Sequence, residues 1–170
     1  MQKNLLTNLA KHLLQYGPRA IAKPLAIVPF SVKARVLEKL LDLLMAQQIE
    51  EGELAFLQQR WVRVDIIDMD LSFDVSFDKQ FIVAEQSAAE VTFSGQTKEL
   101  VLIAAGKEDP DTLFFQRKLS IEGDTELGLE VKNLLLGIEF DAMPSVMRES
   151  LEHLALLFIQ LQRQADTEWA

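Results

Sequence analysis

Three stretches hold residues whose types and spacing could do chemistry. In SIEGDTELGLEVKNLL, residues 120–135, Gly123 and Gly128 stand five positions apart where a strand pattern gives way to a helix pattern. A loop that cradles phosphates has this layout, but it also needs Lys and then Ser or Thr after the second glycine, to meet the terminal phosphates and a magnesium ion. Here Leu129 and Glu130 follow, and Asp124, Glu126 and Glu130 put negative charge where the phosphates would sit. Repulsion excludes a nucleotide, and the spacing also fails the dinucleotide pattern. What remains is structural: Asp124 caps the helix and Gly123 permits the turn. Gly128 costs roughly 1 kcal/mol relative to alanine inside a helix. Its missing side chain is read as leaving room for a ligand tail or a neighbouring strand.

The second stretch, DMDLSFD, spaces Asp68, Asp70, Ser72 and Asp74 like the first half of a calcium loop. Such a loop needs glycine at its sixth position and glutamate at its twelfth, and these are Phe73 and Lys79. Strand alternation accounts for the pattern, giving a solvated acidic sheet face. The third possibility is catalysis through histidine. His12 and His153 are the only two, each in a helix without an acidic or nucleophilic partner at catalytic spacing, and no nucleophile elbow is present. The residues give no positive sign of an enzyme.

The elements behind these residues divide by charge. Lys3, Lys11, Arg19, Lys23, Lys33 and Arg35 occupy the first 35 positions with no acid among them, leaving 11 basic against 26 acidic side chains, a net of −15, in the rest. The acidic body repels a phosphate backbone, so nucleic acid is not an expected partner. The absence of cysteine removes disulfides, zinc thiolates and iron-sulfur ligation from this chain and makes a reducing cytoplasm its expected home. No apolar run reaches the roughly 20 residues of a membrane span, and no signal-peptide core is expected at the N-terminus.

Residues 1–30 read as a basic amphipathic helix followed by a linker. Leu5, Leu6, Leu9, Leu13 and Leu14 fall on one half of a helical wheel, with Thr7, Asn8, Lys11 and Gln15 opposite. Pro18, Pro24 and Pro29 then predict an extended, proline-rich connection. Such a helix either packs on its own domain or a partner, or lies on an anionic membrane. On the membrane reading, Lys3, Leu5, Leu6, Leu9, Lys11, Leu13 and Leu14 make the contact, at the inner face of the membrane.

Residues 31–170 read as one domain. Ser31 is expected to cap a helix that runs to Gly52. From Trp61 the period becomes two, through Val62, Val64 and Ile66, then Leu71, Phe73, Val75 and Phe77. The short strands QFIVAE and EVTFSG follow closely enough to predict an antiparallel meander. TKELVLIAAG and DPDTLFF read as helices, RKLSIEG as a strand, and helices follow Asp124 and Pro144. This order predicts an α+β fold with a mainly antiparallel sheet of about five strands, covered by helices.

Ten Phe against one Tyr supply large rings without a polar handle. Phe73, Phe77, Phe81 and Phe93 lie on predicted strands, and Leu127, Val131, Leu134 and Leu135 on one helix face. Periodicity leaves two readings open, a closed core or the lining of a lipid cavity.

The run from Leu100 to Leu135, with EDPDTLFFQRKL and IEGDTELGLEVKNL inside it, resembles the sterol carrier protein type 2 domain. More closely it resembles the small bacterial accessory factors of ubiquinone biosynthesis built on that domain. The resemblance implies an apolar tunnel and no catalysis. It implies a role in the oxygen-independent route to ubiquinone, with no cofactor of the chain's own. The implied partners are an isoprenoid quinone precursor or a phospholipid, and iron-sulfur proteins that hydroxylate the ring. Alternatives are an interaction scaffold or a general lipid carrier, including one serving the aerobic pathway. Tunnel residues are not motif residues, so the candidates rest on alternation and helix face. To the eight named above these add Leu119, Ile121 and Gly128.

Overall fold

Period-two alternation between Trp61 and Gly95 yields four strands, and a fifth follows two helices later. The computed structural model, which describes the backbone of residues 2–166 and the side chains of residues 7–166, assembles them into one sheet. Its strands are β1 (Val62–Ile66), β2 (Leu71–Asp78), β3 (Gln80–Ala84), β4 (Val91–Gly95) and β5 (Leu119–Gly123), in the spatial order β3-β2-β1-β4-β5. Three pairings are antiparallel and β1–β4 is parallel. The fold class is therefore α+β with a mainly antiparallel sheet, as the sequence predicts, but the meander stops at β3. EVTFSG does not continue beside QFIVAE; it crosses to the far side of β1. The reason is topological. Parallel neighbours need a dozen or more residues between them, and the β2–β3 hairpin itself supplies that length.

Asp74 anchors the crossing. Its carboxylate accepts two hydrogen bonds from the Arg63 guanidinium, at 2.7 and 3.0 Å, and two from Ser87 in the crossing segment, from the amide at 2.5 Å and the hydroxyl at 2.9 Å. Asp74 is fully buried. Burial pushes its carboxyl up, but the bonds from Arg63 and Ser87 outweigh it and hold the group below the usual carboxylate range. The solvated acidic face is thus corrected at two positions, because Asp68 is also engaged, accepting from the Thr97 amide at 2.8 Å and hydroxyl at 2.9 Å. Alternation gives the side of a sheet on which a residue lies, and says nothing of what later segments lay over that side.

Seven helices surround the sheet among the described residues: α1 (Gln2–Ile27), α2 (Phe30–Leu44), α3 (Ala46–Glu51), α4 (Thr97–Ala104), α5 (Pro110–Phe115), α6 (Thr125–Leu136) and α7 (Ser145–Asp166). The extended linker is overturned, since α1 runs unbroken through Pro18 and Pro24. A proline inside a helix costs about 3 kcal/mol. Here the helix packs along α7 for much of its length, and such tertiary burial outweighs propensity. Only Pro29 breaks the chain, and it, not Ser31, occupies the cap position of α2. Gly52, with φ of 74°, ends α3. α2 lies along β3, where Asp42 accepts from the Phe81 amide and Glu38 from the Val83 amide, each at 3.0 Å. Two carboxylates one helical turn apart so cover an edge that would otherwise pair with other chains.

Candidate functional site

The register puts most of the apolar strand residues on one face, Ile82 and Ala84 of β3 being on the other. Val62, Val64 and Ile66 stand opposite Val75, Phe73 and Leu71 on β2, and beside Val91, Phe93 and Gly95 on β4. β5 adds Leu119 and Ile121, and β3 adds Phe81 and Val83. Helices α2, α4 and α6 arch over this face without filling the space beneath them. A cavity of about 230 Å3 remains, and all 19 of its lining side chains are apolar. No donor, acceptor or charge projects from its lining, so it has no means of acid–base or nucleophilic chemistry. It can take an apolar chain, with a gain of roughly 0.8 kcal/mol for each methylene removed from water. The volume falls below the roughly 300–1,000 Å3 of pockets that enclose whole small molecules.

The structure brings seven of the eleven candidates to this cavity: Phe73, Phe81, Phe93, Leu119, Val131, Leu134 and Leu135. The other four lie elsewhere. Phe77 is buried edge-on against Phe81, with ring centroids 5.4 Å apart. Leu127 is fully buried in the packed core. Ile121 and Gly128 border a separate outward hollow. Gly128 is where α6 meets the sheet: a Cβ there would stand 3.1 Å from Ile121 Cγ2 and 3.5 Å from Val91 Cγ2. The neighbouring strand, not a ligand tail, takes the room left by its missing side chain.

Sequence reasoning missed the roof. Leu41 and Leu44 from α2, Met45 just after it, and Leu100 and Ile103 from α4 are among the further lining side chains. Spacing along α2 groups Val36, Leu40, Leu43 and Leu44 on one stripe, but Val36, Leu40 and Leu43 are exposed, and the face that turns inward is that of Leu37, Leu41 and Leu44.

The glycines that suggested a phosphate site are accounted for by what surrounds them. Gly123 has φ of 121°, and Asp124 caps α6 by accepting from the Leu127 amide at 2.7 Å. The helix N-terminus that a phosphate would occupy already holds a carboxylate. That bond, then Arg60 at 3.4 Å, holds Asp124 below the usual carboxylate range. Arg60 also grips Glu90 at 2.9 Å and lowers that carboxyl too.

The side chains of Lys3, Leu5 and Leu6 lie outside the described residues. For the rest of α1, the helix turns the opposite way from a buried leucine stripe. Thr7, Ala10 and Pro18 are buried, while Leu9 is 54% and Leu13 47% exposed. Lys11 and Leu14 are half-buried. Small residues allow close helix packing, so the side of α1 that carries Thr7, Ala10 and Pro18 meets the body of the protein, while Leu9 and Leu13 face out together with Asn8 and Gln15. None of the described helices is long and apolar enough to cross a membrane.

Comparison with known proteins agrees with this geometry. The profile of the SCP-2 sterol transfer family matches residues 37–136. The ubiquinone biosynthesis accessory factor UbiT of Escherichia coli K12 is 43% identical over 152 residues, which cover 89% of this chain and 87% of that protein, and UbiT of Escherichia coli O157:H7 matches equally. Among solved structures, the UbiJ-SCP2 ubiquinone synthesis protein superposes with a TM-score of 0.52 over 65% of this chain and all of its own, at 20% identity. That last likeness concerns the fold alone.

Proposed function

The chain belongs to the SCP-2 sterol transfer family, and from that premise we propose that it is a non-enzymatic accessory factor of ubiquinone biosynthesis that shields the apolar tail of a quinone precursor or phospholipid. The observation that carries this reading is the wholly apolar cavity beneath α2, α4 and α6, in a chain 43% identical to a protein named for that pathway. The cavity accepts a segment of the tail and leaves the polar ring outside, where the iron-sulfur hydroxylases of the oxygen-independent route would reach it. Deleting the gene should lower ubiquinone content in cells grown without oxygen and leave aerobic content unchanged. A loss confined to aerobic growth would assign the carrier to the other route.

The second part of the reading is peripheral contact with the inner face of the membrane through α1. Its support is the exposure of Leu9 and Leu13 on that helix, within the first 35 residues, which carry six basic side chains and no acid. Deleting residues 1–30 would also strip α7, so point changes are the cleaner test. Leu9→Ser with Leu13→Ser should cut flotation with phosphatidylglycerol vesicles about tenfold or more, since each leucine contributes roughly 1.5 kcal/mol or more on burial, and should leave the far-ultraviolet spectrum unchanged. Equal flotation of variant and parent would assign those leucines to a protein partner.

A further inference from the structure

The two edges of the sheet are finished differently. β3 is closed by Asp42 and Glu38 of α2. Along β5, among the described residues, no group from another element takes the outward hydrogen-bonding positions of Ser120 to Glu122, and the Ser120 hydroxyl bonds only to Glu122 of the same strand, at 2.9 Å. An open edge is a template for a further extended chain.

Apolar surface collects beside it. Phe115 is 80% exposed, Phe114 41% and Leu129 52%. Phe114 stands between two hollows, one of about 460 Å3 bounded by Phe115, Arg117 and Leu119, the other of about 210 Å3 bounded by Ile121, Leu129 and Lys132. Arg117 and Lys118 are exposed and make no ion pair among the described residues. The acids nearby are committed or turned away. Asp111 pairs with Lys132 at 2.7 Å and Asp124 caps α6. Glu122 lies on the opposite face of the sheet from Leu119 and Ile121. In a chain of net charge −9, this edge presents two free cations. Leu119 borders both the larger hollow and the internal cavity, so an occupant of the edge sits one side chain from the proposed ligand.

We propose that the β5 edge docks a partner protein through an extended segment that adds to the sheet. Its alternate apolar side chains fill the hollows on either side of Phe114, and its acidic residues pass Arg117 and Lys118. A bilayer fits poorly, because it offers no backbone groups to satisfy a strand edge. The nearness of this partner to a bound lipid, through Leu119, rests on the carrier reading above; the docking surface itself does not.

The test uses full-length 15N-labelled protein and two ten-residue peptides, one alternating valine with glutamate and the other valine with lysine. The glutamate peptide should shift the amides of residues 119–123, slow their hydrogen exchange, and bind at least tenfold more tightly than the lysine peptide. Phe115→Ser with Arg117→Glu should weaken it about tenfold or more, a loss of the size expected for an exposed aromatic anchor, without altering the thermal midpoint. Undisturbed amides at 119–123, equal binding of both peptides, or loss of vesicle flotation by the double variant in place of peptide binding would overturn the proposal. An empty cavity in the parent protein would count against the carrier reading and leave the peptide result standing.

Discussion

Gly123→Ala should unfold the end of the sheet and lower stability by about 3 kcal/mol, combining a backbone conformation closed to side chains with a steric clash. The residue has φ of 121°, and a Cβ on it would fall inside the contact distance of the Glu90 carbonyl oxygen and 2.9 Å from Val91 Cα. Both neighbours are backbone atoms, one at the start of β4 and the other in the residue just before it, so no rotamer change relieves the overlap. The Glu90 carbonyl also accepts from the Asp124 amide at 2.9 Å, and any shift of β4 that admits the methyl group breaks that bond. For a chain of this length the loss corresponds to a fall of about 6–12 °C in the thermal midpoint. Calorimetry on parent and variant checks it; a midpoint within 2 °C of the parent would mean that the turn is held some other way. Phosphate has no part in this requirement, although the glycine spacing suggests it.

Asp74→Ala should cost about 3 kcal/mol, the lower end of the range for breaking a buried ion pair, because the Arg63 side chain keeps 32% of its surface in water. The loss should depend on pH in a definite direction. The folded-state carboxyl is held below its unfolded value, so the stability it contributes is fully present above the unfolded value of about 3.9 and is lost as pH falls through the folded value. Denaturant unfolding should therefore show the full difference between parent and variant at pH 7 and a smaller one at pH 3. A difference that is constant across this range would mean that Asp74 acts through packing alone. The crossing segment should report the same event, with the Ser87 amide losing hydrogen-exchange protection in the variant.

What could be read from the sequence follows the range of each signal. Strand alternation placed Phe73, Phe81, Phe93 and Leu119 on one face, and helix periodicity placed Val131, Leu134 and Leu135 on another, so seven of the nineteen side chains around the cavity were legible as apolar faces. Periodicity is local and states only that a face is apolar. It could not separate Leu127, which packs solidly, from Leu134 one face-length away, which borders the hollow. Nor could it supply the roof, since the descent of α2 over the sheet depends on Asp42 and Glu38 meeting amides about forty residues away. The long-range facts were misread for the same reason. The β1–β4 pairing is reached through a segment that Asp74 binds at Ser87, and α1, which carries Pro18 and Pro24, packs along α7. The cap, by contrast, was legible from the sequence alone at Asp124, because capping is a local interaction that spans three residues.

The claim on which the rest depends is that the space under α2, α4 and α6 holds an apolar tail. Its most direct measurement is mass spectrometry of lipids extracted from the full-length protein purified in its native state without detergent, with Leu134→Trp, which fills the cavity from α6, as the companion. The parent protein should carry a prenylated quinone precursor or an acyl lipid, and the variant at least tenfold less. Parent protein that carries no such lipid, and takes up none when a quinone precursor is added, would contradict it.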